Sequence, residues 1–149
     1  MSTTLHEPIK FTIPLDPKTK KNSMQPRLAK GGRFLGMMQS DAYQQYEKDC
    51  LMCIPARVRI GIGEPVNVRA TYFMKTRRKV DKPNLENALL DVLVKAGVLI
   101  DDSAINPSIV VGTDGSRVRH DKNYPRTEVV IEPLLDEPYQ TEMTVEEDW

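Results

Sequence analysis

The feature that most constrains the fold is a helical pattern near the middle of the chain. Its apolar side chains recur at positions i, i+3, i+4, i+7 and i+11, which places them on one helical face: Leu85, Ala88, Leu89, Val92 and Ala96. Gly97 follows, where a residue in the left-handed conformation commonly ends a helix. The pattern predicts an amphipathic helix from about residue 84 to 96, with one face packed on a core.

Shorter patterns on both sides of this helix predict strands and a second helix. Alternation of apolar and polar residues indicates strands at 9–15, 66–74, 108–111 and 127–131. Ser40 and Asp41 are typical of a helix start, and Pro55 stops the helix predicted over 41–54. Asp114 and Gly115 predict a tight turn. The basic segment 18–33 contains Pro and Gly without any period, so we interpret it as a loop.

These elements predict an α+β fold, a small single domain with a mixed β-sheet and two main helices. The length of 149 residues suits one domain, which we place at 1–132. Residues 133–149 form an acidic tail that we expect to be flexible, because it has two prolines, few large apolar residues and no helical period.

A net charge of zero conceals a strong asymmetry. Residues 1–80 hold 15 basic and 6 acidic side chains, whereas residues 81–149 hold 6 basic and 15 acidic ones. A basic body favours a polyanionic partner, because Lys and Arg placed at phosphates release condensed counterions. Scattered lysines that only keep the protein soluble would give the same composition, so charge alone leaves both interpretations open.

Membrane, secretory and zinc-binding classes find little support. No apolar run approaches the roughly 20 residues that a membrane span needs, and the N-terminus lacks the apolar segment of a secretory signal. We therefore expect a cytoplasmic protein without a membrane partner. Cys50 and Cys53 form one C-x-x-C pair, too few for the four ligands of a structural zinc site, so we interpret them as small, half-buried hydrophobes.

Acidic residues flank the central helix. Asp81 precedes it, Asp101 and Asp102 follow it, and Asp91 lies on a second stripe of the helix with Asn84, Asn87 and Lys95. Clustered carboxylates repel one another unless a hard cation such as Mg²⁺ shares them, and such an ion can promote phosphodiester cleavage. In the alternative interpretation, Asp81 and Asp91 only cap and solubilise the helix, and Asp101-Asp102 is a turn.

The stretch RRKVDKPNLENALLDVLVKAGVLIDD, residues 77–102, resembles the core of the RusA-type Holliday junction resolvases. That family's pattern is Asp-x-Asp-Asn-Leu-x-Lys, then a helix Asp, a Gly-containing turn and an Asp-Asp pair. It aligns here without gaps at Asp81, Asn84, Leu85, Asp91, Gly97, Asp101 and Asp102. The resemblance implies a homodimeric endonuclease, dependent on Mg²⁺ or Mn²⁺, that resolves four-way DNA junctions by symmetric nicking, usually in phage or prophage recombination and repair.

The chain departs from the family pattern at two positions. Pro83 stands where the family has its second metal-binding Asp, and Asn87 stands where a functional Lys is common. Asp91 could replace the missing carboxylate, whereas Glu86 points off that helical face. We therefore predict that Asp81, Asp91 and Asp102 hold the metal, and that Asp101 completes the catalytic carboxylates either as a further ligand or as a group that contacts the ligands.

Basic side chains near this segment are the candidate phosphate contacts, and a solvated charged face is their alternative interpretation. The predicted DNA-binding set is Lys18, Lys20, Lys21, Arg77, Arg78, Lys79, Arg117 and Arg119. Two other functions stay open at this point. One is a less selective nuclease acting on branched or flapped DNA, and the other is a catalytically impaired junction-binding protein, which Pro83 would explain.

Overall fold

A computed structural model of the chain describes residues 5–19, 24–100 and 111–134. Its centre is a five-stranded mixed sheet that confirms the predicted α+β fold. The strand order is β1 (Ile9–Ile13), β7 (Arg126–Pro133) and β4 (Val66–Met74), with β5 (Val111–Gly112) and β6 (Arg117–His120) both on the outer edge of β4. β7 is antiparallel to both neighbours, whereas β5 and β6 run parallel to β4.

One face of the sheet forms the core. Cross-strand partners on this face are apolar, as in Phe11 opposite Val129 and Val68 opposite Ile131. Two helices, α1 (Asp41–Cys53) and α2 (Lys82–Lys95), contribute their apolar side chains to the same core cluster. Val92 and Leu93 of α2 are almost completely buried there, which confirms the amphipathic helix predicted from the sequence.

Helix α2 lies in the chain between the parallel strands β4 and β5 and forms part of the crossover connection that parallel strands require. It begins at Lys82, two residues before the predicted start, because Pro83 in the first turn costs no helical hydrogen bond. Gly97, with a φ of 82°, ends it as predicted. The chain then turns back, and Val98 N donates to the carbonyl oxygen of Leu93 at 2.9 Å.

Arg59 joins the C-terminal ends of the two helices. Its guanidinium donates to the carbonyl oxygens of Leu51 and Ile54 at the end of α1, and to that of Ala96 at the end of α2. Carbonyls in the last turn of a helix have no partner within the helix, and they attract a cation. A single side chain therefore satisfies backbone groups of both helices.

Two further strands form a separate antiparallel ribbon, which we call the β2–β3 ribbon. It consists of β2 (Met24–Leu28) and β3 (Phe34–Gln39). The prediction of a loop over 18–33 is therefore wrong for β2. Gly31 and Gly32, with φ of 91° and 86°, form the turn that brings the strands together, and Ala29 N donates to the carbonyl oxygen of Arg33 at 2.7 Å.

Other predicted elements differ from the structure mainly at their ends. The strand predicted at 108–111 is described only from Val111, and β6 was not predicted. The acidic tail lies outside the described residues beyond Leu134. Within the parts of the chain that the structure describes, neither helix combines the length and the apolar composition that crossing a membrane requires.

Candidate active site

Asp81 stands immediately before α2 and is exposed. Its backbone carbonyl accepts from Asn84 N at 3.1 Å and Leu85 N at 3.3 Å, which closes the first helical turn. Its side chain makes no capping hydrogen bond. Asp81 is thus the N-cap residue by its backbone alone, and its exposed side chain leaves the solubilising role of the alternative interpretation open.

The basic segment 75–79 (KTRRK) leads from β4 to Asp81, and all five residues are exposed. Two contacts anchor its start. Lys75 N donates to Asp16 Oδ1 at 3.0 Å, and His120 Nε2 lies 3.1 Å from the carbonyl oxygen of Lys75. Sequence reasoning missed Asp16, although an Asp directly after the strand pattern IKFTIPL was a signal for a loop-anchoring carboxylate.

A cleft of about 590 Å³ opens beside this basic segment. Its walls come from the chain after β1, from the start of α1 and from the segment between β4 and α2, and they include Lys18, Arg78 and Lys79 together with one carboxylate, Asp16. The cleft extends to Val80, the neighbour of Asp81. Cationic side chains about 60 positions apart in sequence thus line one concave surface, which suits a negatively charged backbone.

The start of α2 is also attached to the sheet. Lys82 Nζ donates to the carbonyl oxygen of Ser116 at 3.1 Å, and the buried Ser116 Oγ accepts from Ala70 N at 3.0 Å. Arg117 and Arg119 follow on β6, opposite Thr71 and Phe73 of β4, and Arg119 is exposed. The turn before β6 therefore holds the helix start at the sheet edge that carries these two arginines.

Asp91 lies on the side of α2 that faces α1. Lys95 Nζ lies 3.2 Å from Asp91 Oδ2 and donates to Glu47 Oε2 of α1 at 2.8 Å. The hydrogen bond that Lys95 donates to Glu47 raises the pKa of Lys95, and Asp91 adds to this shift. Burial raises the pKa of Tyr43 well above its ordinary value, with further contributions from Glu47 and Asp91. Asp91 is therefore part of the contact between the two helices.

Helix geometry separates Asp91 from Asp81. Nine residues of α2, Lys82 to Leu90, lie between them, which corresponds to roughly 13 Å or more along the helix axis. Carboxylate oxygens on one Mg²⁺ lie about 2.1 Å from the ion, so two such ligands approach within a few ångströms of each other. The sharing of one metal ion by Asp81 and Asp91 stays a prediction, and this separation counts against it.

Asp101, Asp102, Lys20 and Lys21 lie outside the described residues. The last described residue before the acidic pair is Ile100, whose N donates to the carbonyl oxygen of Ile62 at 3.1 Å. Among residues 5–19, 24–100 and 111–134, no three His, Cys, Asp or Glu side chains are grouped to hold a metal ion. The metal site that includes Asp102 therefore stays a prediction.

The family model described as Endodeoxyribonuclease RusA matches residues 14–132. The matched part includes the cleft, the basic segment and Asp81, and it covers most of the chain. The chain therefore belongs to the RusA endodeoxyribonuclease family, as the resemblance of residues 77–102 predicted.

Curated relatives match a shorter stretch. The chain is 40% identical over 50 residues to the crossover junction endodeoxyribonuclease RusA of Escherichia coli (strain K12) and to that of Shigella sonnei (strain Ss046). It is 41% identical over 46 residues to that of Enterobacteria phage 82. These matches cover 34% and 31% of this chain, and 42% and 38% of the relatives. The similarity thus spans about two-fifths of the relatives' length.

Proposed function

We propose that this protein is an endodeoxyribonuclease that resolves four-way DNA junctions by nicking two strands symmetrically. The observation that carries the proposal is the exposed Asp81, which directly follows the cleft residues Arg78, Lys79 and Val80 in a chain of the RusA family. A carboxylate next to cations is the combination that cleavage of a phosphodiester requires, because one group serves the chemistry and the others hold the backbone.

The DNA backbone would lie in the cleft formed by Lys18, Arg78 and Lys79. Contacts of this kind position a duplex arm and carry no sequence information. Arg77 lies in the same exposed segment, and Arg119 extends the positive surface along β6. Lys20 and Lys21 belong to the proposal through their sequence positions, next to Lys18.

A divalent cation, Mg²⁺ or Mn²⁺, would bind at Asp81, and we propose Asp102 and Asp101 as the carboxylates that complete its site. Magnesium is commonly held by one or two carboxylates together with phosphate oxygens and waters. An exposed carboxylate next in sequence to the residues of a cleft lined by cations fits such a site. When bound, the ion would activate water and neutralise charge on the leaving oxygen. We give Asp91 a positioning role, in which its ion pair with Lys95 helps to fix α2 against α1.

Symmetric resolution needs two equivalent active sites, which a homodimer supplies because its two-fold axis matches that of the junction. Whether Asp81 and Asp102 of one site come from the same subunit or from different subunits is a question that such a dimer raises. Mixing Asp81→Asn protein with Asp102→Asn protein addresses it. Activity that appears only in the mixture would mean that the two carboxylates come from different subunits.

The proposal is tested by cleavage of a synthetic four-way junction, in Mg²⁺ and in EDTA, with duplex and flap substrates of equal length beside it. We expect paired nicks at symmetric positions of the junction, only with metal. Equal cutting of junctions, flaps and duplexes would replace the proposal by a less selective nuclease. A shifted band without product would indicate a junction-binding protein, as Pro83 in place of a carboxylate would explain.

A further inference from the structure

The β2–β3 ribbon exposes large apolar side chains. Leu28, Phe34, Leu35 and Met37 are between 50% and 61% exposed. Leu28 stands opposite Phe34, and Pro26 stands opposite Met37. Cross-strand partners lie on the same face of a ribbon, and so do residues two apart. Leu28 and Phe34 therefore share one largely exposed face of the ribbon with Pro26 and Met37, whereas Leu35 is the unpaired residue at the register shift.

The charge of the ribbon indicates what kind of partner covers this face. Arg27, Lys30 and Arg33 are exposed, and no acidic residue occurs in the sequence between Asp16 and Asp41. Two copies of this ribbon packed against each other would place like charges together, which is costly at an interface. Apolar and aromatic surface combined with cations alone is instead typical of proteins that bind unstacked nucleic acid.

The tip of the ribbon is held in a defined shape. Leu28 and Phe34 are the last cross-strand pair before the turn, and the hydrogen bonds Ala29 N to Arg33 O and Gly32 N to Ala29 O close it at 2.7 and 2.9 Å. A register shift between Arg27 and Leu28 marks a bulge, which increases the local twist. Phe34 is therefore an exposed side chain next to the turn of the ribbon.

We propose that the β2–β3 ribbon inserts Phe34 between unstacked bases at the branch point of a DNA junction. Leu28 would lie against the same bases, and Arg27, Lys30 and Arg33 would contact the flanking phosphates. Bases within a duplex are stacked on both sides, whereas a branch point can expose a base face to an aromatic ring. The inference rests on the proposed function and extends it, because it assigns the preference for branched over linear DNA to the ribbon.

The test compares the full-length protein with Phe34→Ala, Leu28→Ala and Phe34→Trp variants, in EDTA so that no DNA is cut. Met52→Ala is the matched control, because Met52 is an 85% exposed side chain on α1, away from the ribbon. Affinity is measured for a junction with 2-aminopurine at the branch point and for a duplex of equal length. We expect Phe34→Ala to bind the junction about tenfold more weakly, from the typical cost of removing one stacking aromatic.

The same variant should bind the duplex as the wild type does, and it should lose the 2-aminopurine fluorescence change. Phe34→Trp should retain junction binding, Leu28→Ala should weaken it to a smaller extent, and Met52→Ala should change nothing. Unchanged junction affinity in Phe34→Ala, or equal weakening on junction and duplex, overturns the inference. A change in oligomeric state of Phe34→Ala without DNA also overturns it, since a second copy would then cover the face.

Failure of the ribbon inference can be distinguished from failure of the proposed function. If the wild type cuts junctions in Mg²⁺ and Phe34→Ala is indistinguishable from it in binding, only the role of the ribbon is refuted. If the wild type neither prefers nor cuts junctions, the proposed function fails and the inference fails with it.

Discussion

Asp91 and Lys95 form an ion pair one turn apart on α2, with 3.2 Å between Oδ2 and Nζ. The same ammonium donates to Glu47 of α1 at 2.8 Å, so the pair contributes to the contact between the helices. The sequence spacing is compatible with an Asp91–Lys95 ion pair, because positions i and i+4 lie on the same helical face. It is equally compatible with Asp91 as a metal ligand. The two roles make different predictions for the isosteric Asn variant.

We expect Asp91→Asn to cleave junctions within about threefold of the wild type and to lose under about 1 kcal/mol of stability, as for a partly exposed ion pair. Lys95→Met should show a similar loss of stability. Urea denaturation and junction cleavage measure the two effects. If Asp91→Asn abolished cleavage while Lys95→Met did not, Asp91 would be a metal ligand as the sequence predicted.

Replacing Asp81 should have a different effect. We expect Asp81→Asn to lower the cleavage rate at least about a hundredfold, because removing a metal-binding charge costs several kcal/mol of transition-state stabilisation. Junction affinity in EDTA should be unchanged. The control is Asp114→Asn, a change at an exposed turn residue that Asn also suits. Near-normal cleavage by Asp81→Asn would refute the proposed site.

The basic cleft predicts a dependence on salt. Each Lys or Arg that neutralises a phosphate contributes close to one unit to the slope of log affinity against log salt concentration. We expect the double variant Arg78→Gln, Lys79→Gln to lower that slope by about two units. Lys48→Gln, on the exposed side of α1, should leave it unchanged. A wild-type slope near zero would contradict DNA binding altogether.

Alkaline pH should destabilise the protein through its buried acids. Burial, and secondarily Glu86, raises the pKa of Tyr72 above its ordinary value of 10.0, and burial raises that of the Cys50 thiol from 9.0 to about 12. The unfolded chain therefore releases these protons first, so stability is complete below about pH 9 and falls above it. The midpoint of urea unfolding, followed from neutral to strongly alkaline pH, should show this fall.

Tyr72→Phe isolates one contribution to this pH dependence. The variant keeps the buried ring and removes the phenol, so its stability should decline less steeply above about pH 10 than that of the wild type. Tyr124→Phe is the control, because Tyr124 is 49% exposed. Equal slopes for Tyr72→Phe and the wild type would show that this phenol ionises as easily in the folded as in the unfolded protein.

Elements that pack on the core were predictable because burial leaves a period in the sequence. β4 has the predicted bounds, 66–74, and α1 starts where Ser40 Oγ accepts from Tyr43 N at 3.1 Å. The β2–β3 ribbon left no such signal, since its exposed side chains are not selected by a core. β6 was missed for a similar reason, because of its four residues only Val118 packs against the core.

The candidate site was predictable in its residue types and less so in its arrangement. The pattern around Asp81 indicated a carboxylate at a helix start next to cations, and the structure agrees. Lys18 and Arg78 line the same cleft because the chain after β1 and the chain after β4 lie close together. This proximity depends on the strand order β1-β7-β4, which the sequence does not reveal. The surroundings of Asp91 depend on which face of α2 packs against α1. The sequence spacing of Asp91 and Lys95 shows that they share a face, but it does not show what that face contacts.

The position of β7 in the sheet determines when the sheet can form during synthesis. It is the last described strand of the chain, yet it lies between β1 and β4. A polypeptide growing on the ribosome holds β1 and β4 long before the strand that joins them has emerged. Because domains fold as units during synthesis, the sheet closes only after residue 133 has left the exit tunnel. The complete sheet, which positions the start of α2 and the basic cleft, therefore forms only after the last described strand has been synthesised.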